Sequence, residues 1–419
     1  MFIVPLLHCK TIKIITMAKK KEETKVDFNT LSDKEKQKLI DKAWGVLDEG
    51  NDSASMLSEA LSNIDTFDDT GCCMLNALLS GRIVGGGFPE GRMTVLAAPS
   101  SVGKSYIGLQ AAALAQKKGK RILIFDSENA IDREFATNLG LDVTKVKYFP
   151  VKSIEQCKNS MYAFLNFVDQ QGMKGQFFIL VDSLGGMMSE MDFKRLEDES
   201  SSADMGTLAK SMKQFIKMMT NMSARTKTTI VCTNHIFDNP GQMFPSLEKN
   251  MSGGKSVKYF SSTVLQLSAV QVKEGDADRK TGDEAAIGSK GMTGIAIRGL
   301  SIKNRVVKPY MEGSMYISWQ KGLRKYYGLL ELAQEFDLIY NKAGKLYIRA
   351  TDEGAEDKYI GTKQEIQTSK KFWDEYIPKL QEKITENWTY NGSNLDLIDD
   401  EEPIEEDITD EVLTEDIDD

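Results

Sequence analysis

Between Arg92 and Trp319 the chain alternates short apolar runs with longer segments of helical period. The runs are MTVLAA, RILIFDS, VKYFPV, FFILVDS, TTIVCTN, VLQLSAV, GIAIRGLSIKN and MYISW. The first five are separated by helix-length stretches, which predicts parallel βαβ units. The last three lie close together and predict an antiparallel edge. The expectation is an α/β fold, a mostly parallel twisted sheet flanked by helices. In such sheets ligands collect beyond the carboxyl ends of the strands.

The flanks follow other periods. Residues 28–65 carry helical patterns, as in LSDKEKQKLIDKAWGVLDEG, with a cap offered at Leu31 to Asp33 and a stop at Gly50. The stretch DMGTLAKSMKQFIKMMTNMS places Leu208, Met212, Phe215, Met219 and Met222 on one helical face and Lys210, Lys213 and Lys217 opposite. Taken alone, it is a half-buried helix with a wet basic side. After Trp319 a segment running to about Asn394 has its own apolar content. The expected organisation is a non-structural extension over 1–16, with Met17 as the natural start, and a helical segment over 17–74. A core over 75–322 and a small C-terminal domain over 323–395 follow, ending in a disordered tail over 396–419.

Charge separates that tail from the rest. The 419 residues carry a net charge of -9, yet residues 396–419 hold 14 Asp or Glu and no Lys or Arg. Without them 53 basic residues face 48 acidic ones, a mildly basic body with an acidic appendage. The tail has too little hydrophobicity to offset its ordering entropy. Five cysteines, Cys9, Cys72, Cys73, Cys157 and Cys232, show no C-x-x-C spacing, which fits reduced thiols in a cytoplasmic setting. With His8 and His235 as the only histidines, zinc clusters and histidine triads are poorly supported. The opening MFIVPLLHCKTIKIIT lacks a basic leader and a cleavage site, so neither a signal peptide nor a membrane span is expected.

Candidate chemistry starts at APSSVGKS, residues 98–105. It has the form of a phosphate-binding loop, G-x-x-x-x-G-K-[ST], with Ala98 where the first glycine stands. Ser100, Ser101, Val102, Gly103, Lys104, Ser105 and Tyr106 are the expected ATP contacts. Backbone N–H groups and a helix N-terminus face the phosphates, Lys104 neutralises them, and the Ser105 hydroxyl binds Mg²⁺. Ala98 is compatible if its φ stays negative, whereas Gly103 must allow close backbone approach. Asp182, ending FFILVDS, could hold the Mg²⁺ shell opposite Ser105. Glu128 in FDSENAID is placed to activate water. Asp126 and Glu128 equally have the pattern of a cap for the next helix.

The segments GGGFPEGRMTVLAAPSSVGKS, FDSENAIDREFATNLGLD, ILVDSLGGM, SADMGTLAK, VCTNHIF, MSGGKSVKYFSS and SIKNRVVKPYMEGSMYISW occur in one order. In this they resemble the RecA-type recombinases, in particular the phage-encoded UvsX-like branch. The resemblance covers roughly Thr70 to Ala350 and implies a RecA-like ATPase core. By it Glu128 activates water, with Lys104 and His235 as catalytic partners, His235 sensing the γ-phosphate. Histidine there favours the phage branch, bacterial RecA having glutamine. Asp132 and Phe135 contact the adenine, and Lys303 and Arg305 reach the ATP of the neighbouring subunit. ATP then lies between subunits of a helical filament, and residues 17–70 include the polymerisation segment, with Phe67 as an anchor.

The same resemblance makes Lys210 and Lys217 holders of the DNA backbone, with Met205, Gly206 and Lys213 on the same element. Two loops, GGMMSEMDFKRLEDESSSA and IFDNPGQMFPSLEKNMSGGK, are expected to be mobile and to order on single-stranded DNA. In the first, Lys194 and Arg195 are outnumbered by Glu190, Asp192, Glu197, Asp198 and Glu199. Backbone groups with Gly253, Gly254 and Lys255 are therefore expected to grip more than the loop's charges. Phe237, Met243 and Phe244 are candidate wedges between bases, and loop aromatics serve as packing anchors as often.

The expected function is an ATP-dependent recombinase acting on single- and double-stranded DNA, with loader or mediator and single-strand-binding proteins as partners. Its setting is the cytoplasm, a host's if the chain is phage-encoded. A ring-forming replicative-type helicase shares the core fold and is the alternative; a nucleotide-switched scaffold for proteins is a third reading.

Overall fold

The computed structural model describes residues 31–48, 64, 66–197, 205–237, 248–273, 292–350 and 356–390. The 1–16 extension, the 396–419 tail, Met243 and Phe244 lie outside the described residues. The chain divides into two units, Met1–Asn63 and Ile64–Asp419. In the first, helix α1 (Asp33–Asp48) opens where Ser32 Oγ donates to Glu35 Oε2 (2.6 Å), joined by the Ser32 N–H (3.1 Å). The start expected from the pattern is therefore set by a Ser-x-x-Glu capping pair.

The second unit begins with β1 (Phe67–Asp68), α2 (Cys73–Ser80) and β2 (Phe88–Pro89), the two strands pairing antiparallel. Strand–helix units follow: β3 (Met93–Ala98), α3 (Lys104–Lys117), β4 (Arg121–Asp126), α4 (Arg133–Asn138), β5 (Val146–Pro150) and α5 (Ile154–Gln170). Then come β6 (Phe177–Asp182), α6 (Glu190–Glu197), α7 (Met205–Thr226) and β7 (Thr229–Phe237). β8 (Asn250–Met251), α8 (Lys255–Phe260), β9 (Thr263–Lys273), β10 (Met292–Lys303), β11 (Glu312–Ser318) and β12 (Gly322–Leu323) complete the sheet region.

The main sheet runs β12-β11-β10-β9-β3-β7-β6-β4-β5. Strands β5, β4, β6, β7, β3 and β9 are mutually parallel, and β9 through β12 are antiparallel. The three closely spaced runs, β9, β10 and β11, thus pair antiparallel as their spacing suggested, and β9 joins that edge to the parallel strands by lying parallel to β3. Alternation assigns the faces: Leu96 and Ala98 join the cluster around α3, and Met93, Val95 and Ala97 face α5 and α7.

At the amino end of the sheet Lys120 Nζ meets Asp68 Oδ2 (2.7 Å) and Glu90 Oε1 (2.9 Å), and Thr229 Oγ1 donates to Asp68 (2.6 Å). The Asp68 side chain is 2% exposed, so the lysine compensates a buried charge.

Beyond β12 come α9 (Leu329–Glu335), a three-stranded antiparallel sheet of β13 (Ile339–Lys342), β14 (Lys345–Ile348) and β15 (Lys358–Gly361), then α10 (Lys363–Thr368) and α11 (Lys370–Trp388). Their apolar side chains, Leu330, Leu346, Trp373 and Leu380 among them, join the same cluster as α2 and α3.

Candidate active site

β3 ends at Ala98 and α3 starts at Lys104, which leaves residues 99–103 as the phosphate loop. Ala98 is a buried strand residue outside the set with positive φ, so the missing glycine creates no strain. Ser101 (φ 64°) and Gly103 (φ 99°) make the left-handed turns. Gly103 is required twice over: besides its φ, a Cβ there would lie 2.8 Å from Ile317 Cδ1 on β11. Lys104 is buried and donates to the carbonyls of Ala98 (3.0 Å) and Pro99 (2.8 Å). Burial lowers its pKa, against the opposing charges of Asp182 and Glu128.

Asp182 closes β6. Thr233 donates its hydroxyl to Oδ1, while Oδ2 is buried without a hydrogen-bond partner among the described residues. Burial raises the Asp182 pKa, and the hydroxyls of Ser105 and Thr233 work against that rise. A buried carboxylate oxygen without a partner, next to a hydroxyl, is a donor set suited to a hard oxygen-seeking cation. Mg²⁺ held by Ser105 and Asp182 would satisfy it.

Glu128 stands across the cleft. Ser183 Oγ donates to its Oε1 (2.5 Å), and His235 Nε2 lies 3.0 Å from the same atom. Burial pushes its pKa up, but the Ser183 and His235 contacts and the Lys104 charge outweigh burial and hold it below the ordinary value. Asp126 is buried and organises the turn, accepting from the Glu128 N–H (2.9 Å), the Ile131 N–H (3.1 Å) and Tyr148 OH (3.2 Å). The cap of α4 is Asp132, which accepts from the Phe135 N–H (2.7 Å). The helix-cap reading of Asp126 and Glu128 is therefore corrected, because a residue nearer the helix takes that role.

The phosphate loop, Glu128, Asp182 and His235 share one cleft of about 960 Å³. Phe135 lines it too, with its ring 6.4 Å from that of Tyr106. Asp132 does not; its exposed carboxylate borders a separate cavity of about 590 Å³ near Tyr148. Sequence reasoning missed Ser183, Gly185 and Gly186. A Cβ on Gly185 would lie 3.0 Å from His235 Cδ2, and one on Gly186 3.0 Å from Glu128 Cγ, so these glycines let both side chains seat. The Gly-Gly pair after FFILVDS was the available signal. Also missed was the turn Trp319 to Gly322, which forms the far wall and is marked only by the glycine after MYISW.

Lys303 and Arg305 are far from this cleft along the sheet. Lys303 pairs with Val264, which pairs with Val95, and β10 runs antiparallel to β3. The chain therefore leaves β10 at the amino end of β3, opposite the phosphate loop, where the Arg305 charge acts on Arg92.

On α7, Met212, Phe215, Met219 and Met222 are buried, Leu208 is half-buried, and Lys210, Lys213 and Lys217 are exposed, as the period predicts; Ile216 joins the buried face as well. Met205 opens the helix and Gly206 is exposed in its first turn. Gly253 (φ 81°) seats on this helix, a Cβ there lying 2.6 Å from Met212 Cγ; Gly254 (φ 69°) and Lys255 are exposed. The Ser252 N–H donates to the His235 carbonyl (3.1 Å), tying this loop to the cleft. Phe237 is 56% exposed at the end of β7. The first loop departs from expectation: its residues 190–197 form helix α6, started by Ser189 Oγ donating to Asp192 Oδ2 (2.6 Å), while Asp198 and Glu199 lie outside the described residues. The Ser-x-x-Asp spacing outweighs the Gly and Ser content around it.

A parallel sheet that delivers a lysine-bearing Ser/Gly loop and a buried carboxylate with one unpartnered oxygen to one cleft defines a phosphate-loop nucleotide-binding core. Within that class the sequence comparisons single out one family. A model of the RecA N-terminal domain matches residues 36–324. Protein RecA of a Nocardioides species is 28% identical over 325 residues, covering 74% of this chain and 86% of that protein. Protein RecA of Chlorobium chlorochromatii is 30% identical over 64% of this chain and 69% of its own length. Protein RecA of Streptomyces venezuelae is 27% identical over 71% and 72%. The chain belongs to the RecA family. No helix among the described residues is long and apolar enough to cross a membrane.

Proposed function

We propose that this chain, as a RecA-family ATP-dependent DNA recombinase, hydrolyses ATP with Glu128 as the base that orients and deprotonates water. The carrying observation is the seating of Glu128 Oε1 between Ser183 and His235 in the cleft of Lys104 and Asp182. Its lowered pKa keeps it ionised near neutrality. Lys104 exchanges its two loop carbonyls for phosphate oxygens, a charge-assisted gain. Bound at Ser105 and Asp182, Mg²⁺ would neutralise phosphate charge. His235, 3.0 Å from Glu128, senses the γ-phosphate, and Phe135 stacks near the base.

The cleft and the Lys303–Arg305 turn lie at opposite ends of the sheet, which supports a head-to-tail contact in which both cations act on the next subunit's ATP. Such subunits build a helical filament on single-stranded DNA, gripped by Lys210, Lys213 and Lys217 with Gly253, Gly254 and Lys255. Coulomb attraction supplies affinity and base pairing supplies homology recognition. His235 supports placement in the UvsX-like branch, with loader and single-strand-binding proteins as partners. Relatives named RecA favour this over a ring helicase.

The test is the ATPase rate with and without single-stranded DNA for the wild type, Lys104→Ala and Glu128→Gln, with electron microscopy of the ATP and DNA complex. Stimulated hydrolysis lost in both variants, with filaments in the wild type, is expected; closed rings or DNA-indifferent hydrolysis would sink the reading.

A further inference from the structure

The two cations of the SIKNRVV turn are not equivalent. Lys303 Nζ donates to the carbonyls of Lys258 (2.7 Å) and Tyr259 (2.6 Å), last-turn groups of α8 that have no partner within a helix. Arg305 is exposed and makes no hydrogen bond or ion pair among the described residues. Between them Asn304 is buried and donates to the carbonyls of Leu78 (3.0 Å) and Leu79 (3.2 Å) in the last turn of α2, while accepting from the Val306 N–H (2.8 Å). Asn304 thus bolts the turn to the core, and Lys303 reaches α8 only through its flexible stem.

That ammonium is poorly matched where it rests. Burial, with the charges of Arg305 and Lys258, brings its pKa down to about 8. Two neutral carbonyls are its acceptors, and an anion would hold it more strongly. Lys258 is already engaged, its Nζ 2.5 Å from Glu248 Oε1, which also accepts from Tyr310 OH (2.8 Å). The opposite end of α8 is Gly254 and Lys255, next to Gly253 on Met212.

We propose that Lys303 exchanges acceptors on assembly, capping α8 in the lone subunit and leaving it for nucleotide phosphate on the adjacent one, whereas Arg305 has no acceptor to give up and is available throughout. Capture of a neighbour's nucleotide then loosens the helix that begins at the DNA-facing Gly254 and Lys255. This rests on the reading that both cations serve the neighbouring ATP.

The test combines two readouts on the full chain. Hydrogen exchange of the amides of residues 258–262 is followed at low concentration without nucleotide, and the ATP concentration needed to form filaments on poly(dT) is titrated. Lys303→Met should speed exchange about tenfold, as loss of a charge-assisted cap implies; Arg305→Met should leave it unchanged. Both should raise the ATP requirement about tenfold or more. Unchanged exchange in Lys303→Met overturns the cap and leaves the clamp standing. Faster exchange with an unchanged ATP requirement makes Lys303 a plain structural cap and overturns the exchange of acceptors. If Arg305→Met also leaves the ATP requirement unchanged, the clamp reading falls and this proposal falls with it.

Discussion

Glu128→Gln is the sharpest perturbation of the proposed chemistry, because it changes basicity and charge and almost nothing else. An amide keeps the shape of the side chain seated against Gly186, and its oxygen still accepts from Ser183. Lys104, Ser105 and Asp182 are untouched, so ATP affinity should stay within a few-fold. A positioned general base contributes roughly 10²–10⁴-fold, or about 2.7 to 5.4 kcal/mol at 1.36 kcal/mol per tenfold. Steady-state hydrolysis with saturating poly(dT) should fall by at least ~100-fold, while filaments persist longer once ATP is added. Because the Glu128 carboxyl is held below its ordinary value, it stays ionised down to the acid side of the usual carboxylate range. Its favourable contacts are therefore fully present near neutrality and fade only as pH falls through that lowered value. A loss of hydrolysis under about tenfold, or a loss matched by weaker ATP binding, would refute the assignment of Glu128 as the base.

Three further outcomes are expected. Replacing Lys210, Lys213 and Lys217 together with Gln should reduce the salt slope of single-stranded DNA binding by about 2, at about 0.7 per phosphate contact; weaker binding with an unchanged slope would show that these lysines touch no phosphate. Lys120→Met leaves the 2%-exposed Asp68 without its cation and should lower unfolding stability in urea by about 3 kcal/mol or more, and a loss below about 1 kcal/mol would mean the charge is not effectively buried. Removing residues 396–419 takes away 14 acidic groups and should tighten DNA binding at moderate salt if that tail competes for the basic face; superimposable salt titrations would dismiss the competition.

The strands that carry Ala98, Asp126, Asp182 and His235 were legible because buried parallel strands read as apolar runs, and the residues closing those runs arrive together at the carboxyl end of the sheet. Glu128 reads from the sequence as the carboxylate facing the water, and it lines the cleft; what the sequence leaves open is the rival reading of Asp126 and Glu128 as a helix cap. Asp126 and Glu128 differ by two positions after the strand, and the turn between them, fixed by Asp126 accepting two backbone N–H groups, decides it. Lys303 reads as a free cation in sequence, since nothing local tells that α8, more than 40 positions away, offers it carbonyls. Helix α6 was hidden for the opposite reason: Gly and Ser around it signal a loop, and its start depends on one hydroxyl-to-carboxylate contact. Long-range partners and single caps are set by tertiary geometry, which periodicity does not encode.

The placement of the cleft and the Lys303–Arg305 turn at opposite ends of one sheet also gives any assembly built on that contact a direction. One terminus presents a cleft that no arginine from a further subunit covers; the other presents an Arg305 with nothing to hold. If both cations serve the neighbouring nucleotide, as proposed above, ATP at the uncovered terminus would lack the second half of its electrostatic cage, and the two termini would gain and lose subunits at different rates. A symmetric exchange of charge between identical faces would have produced a closed pair; this arrangement produces polarity.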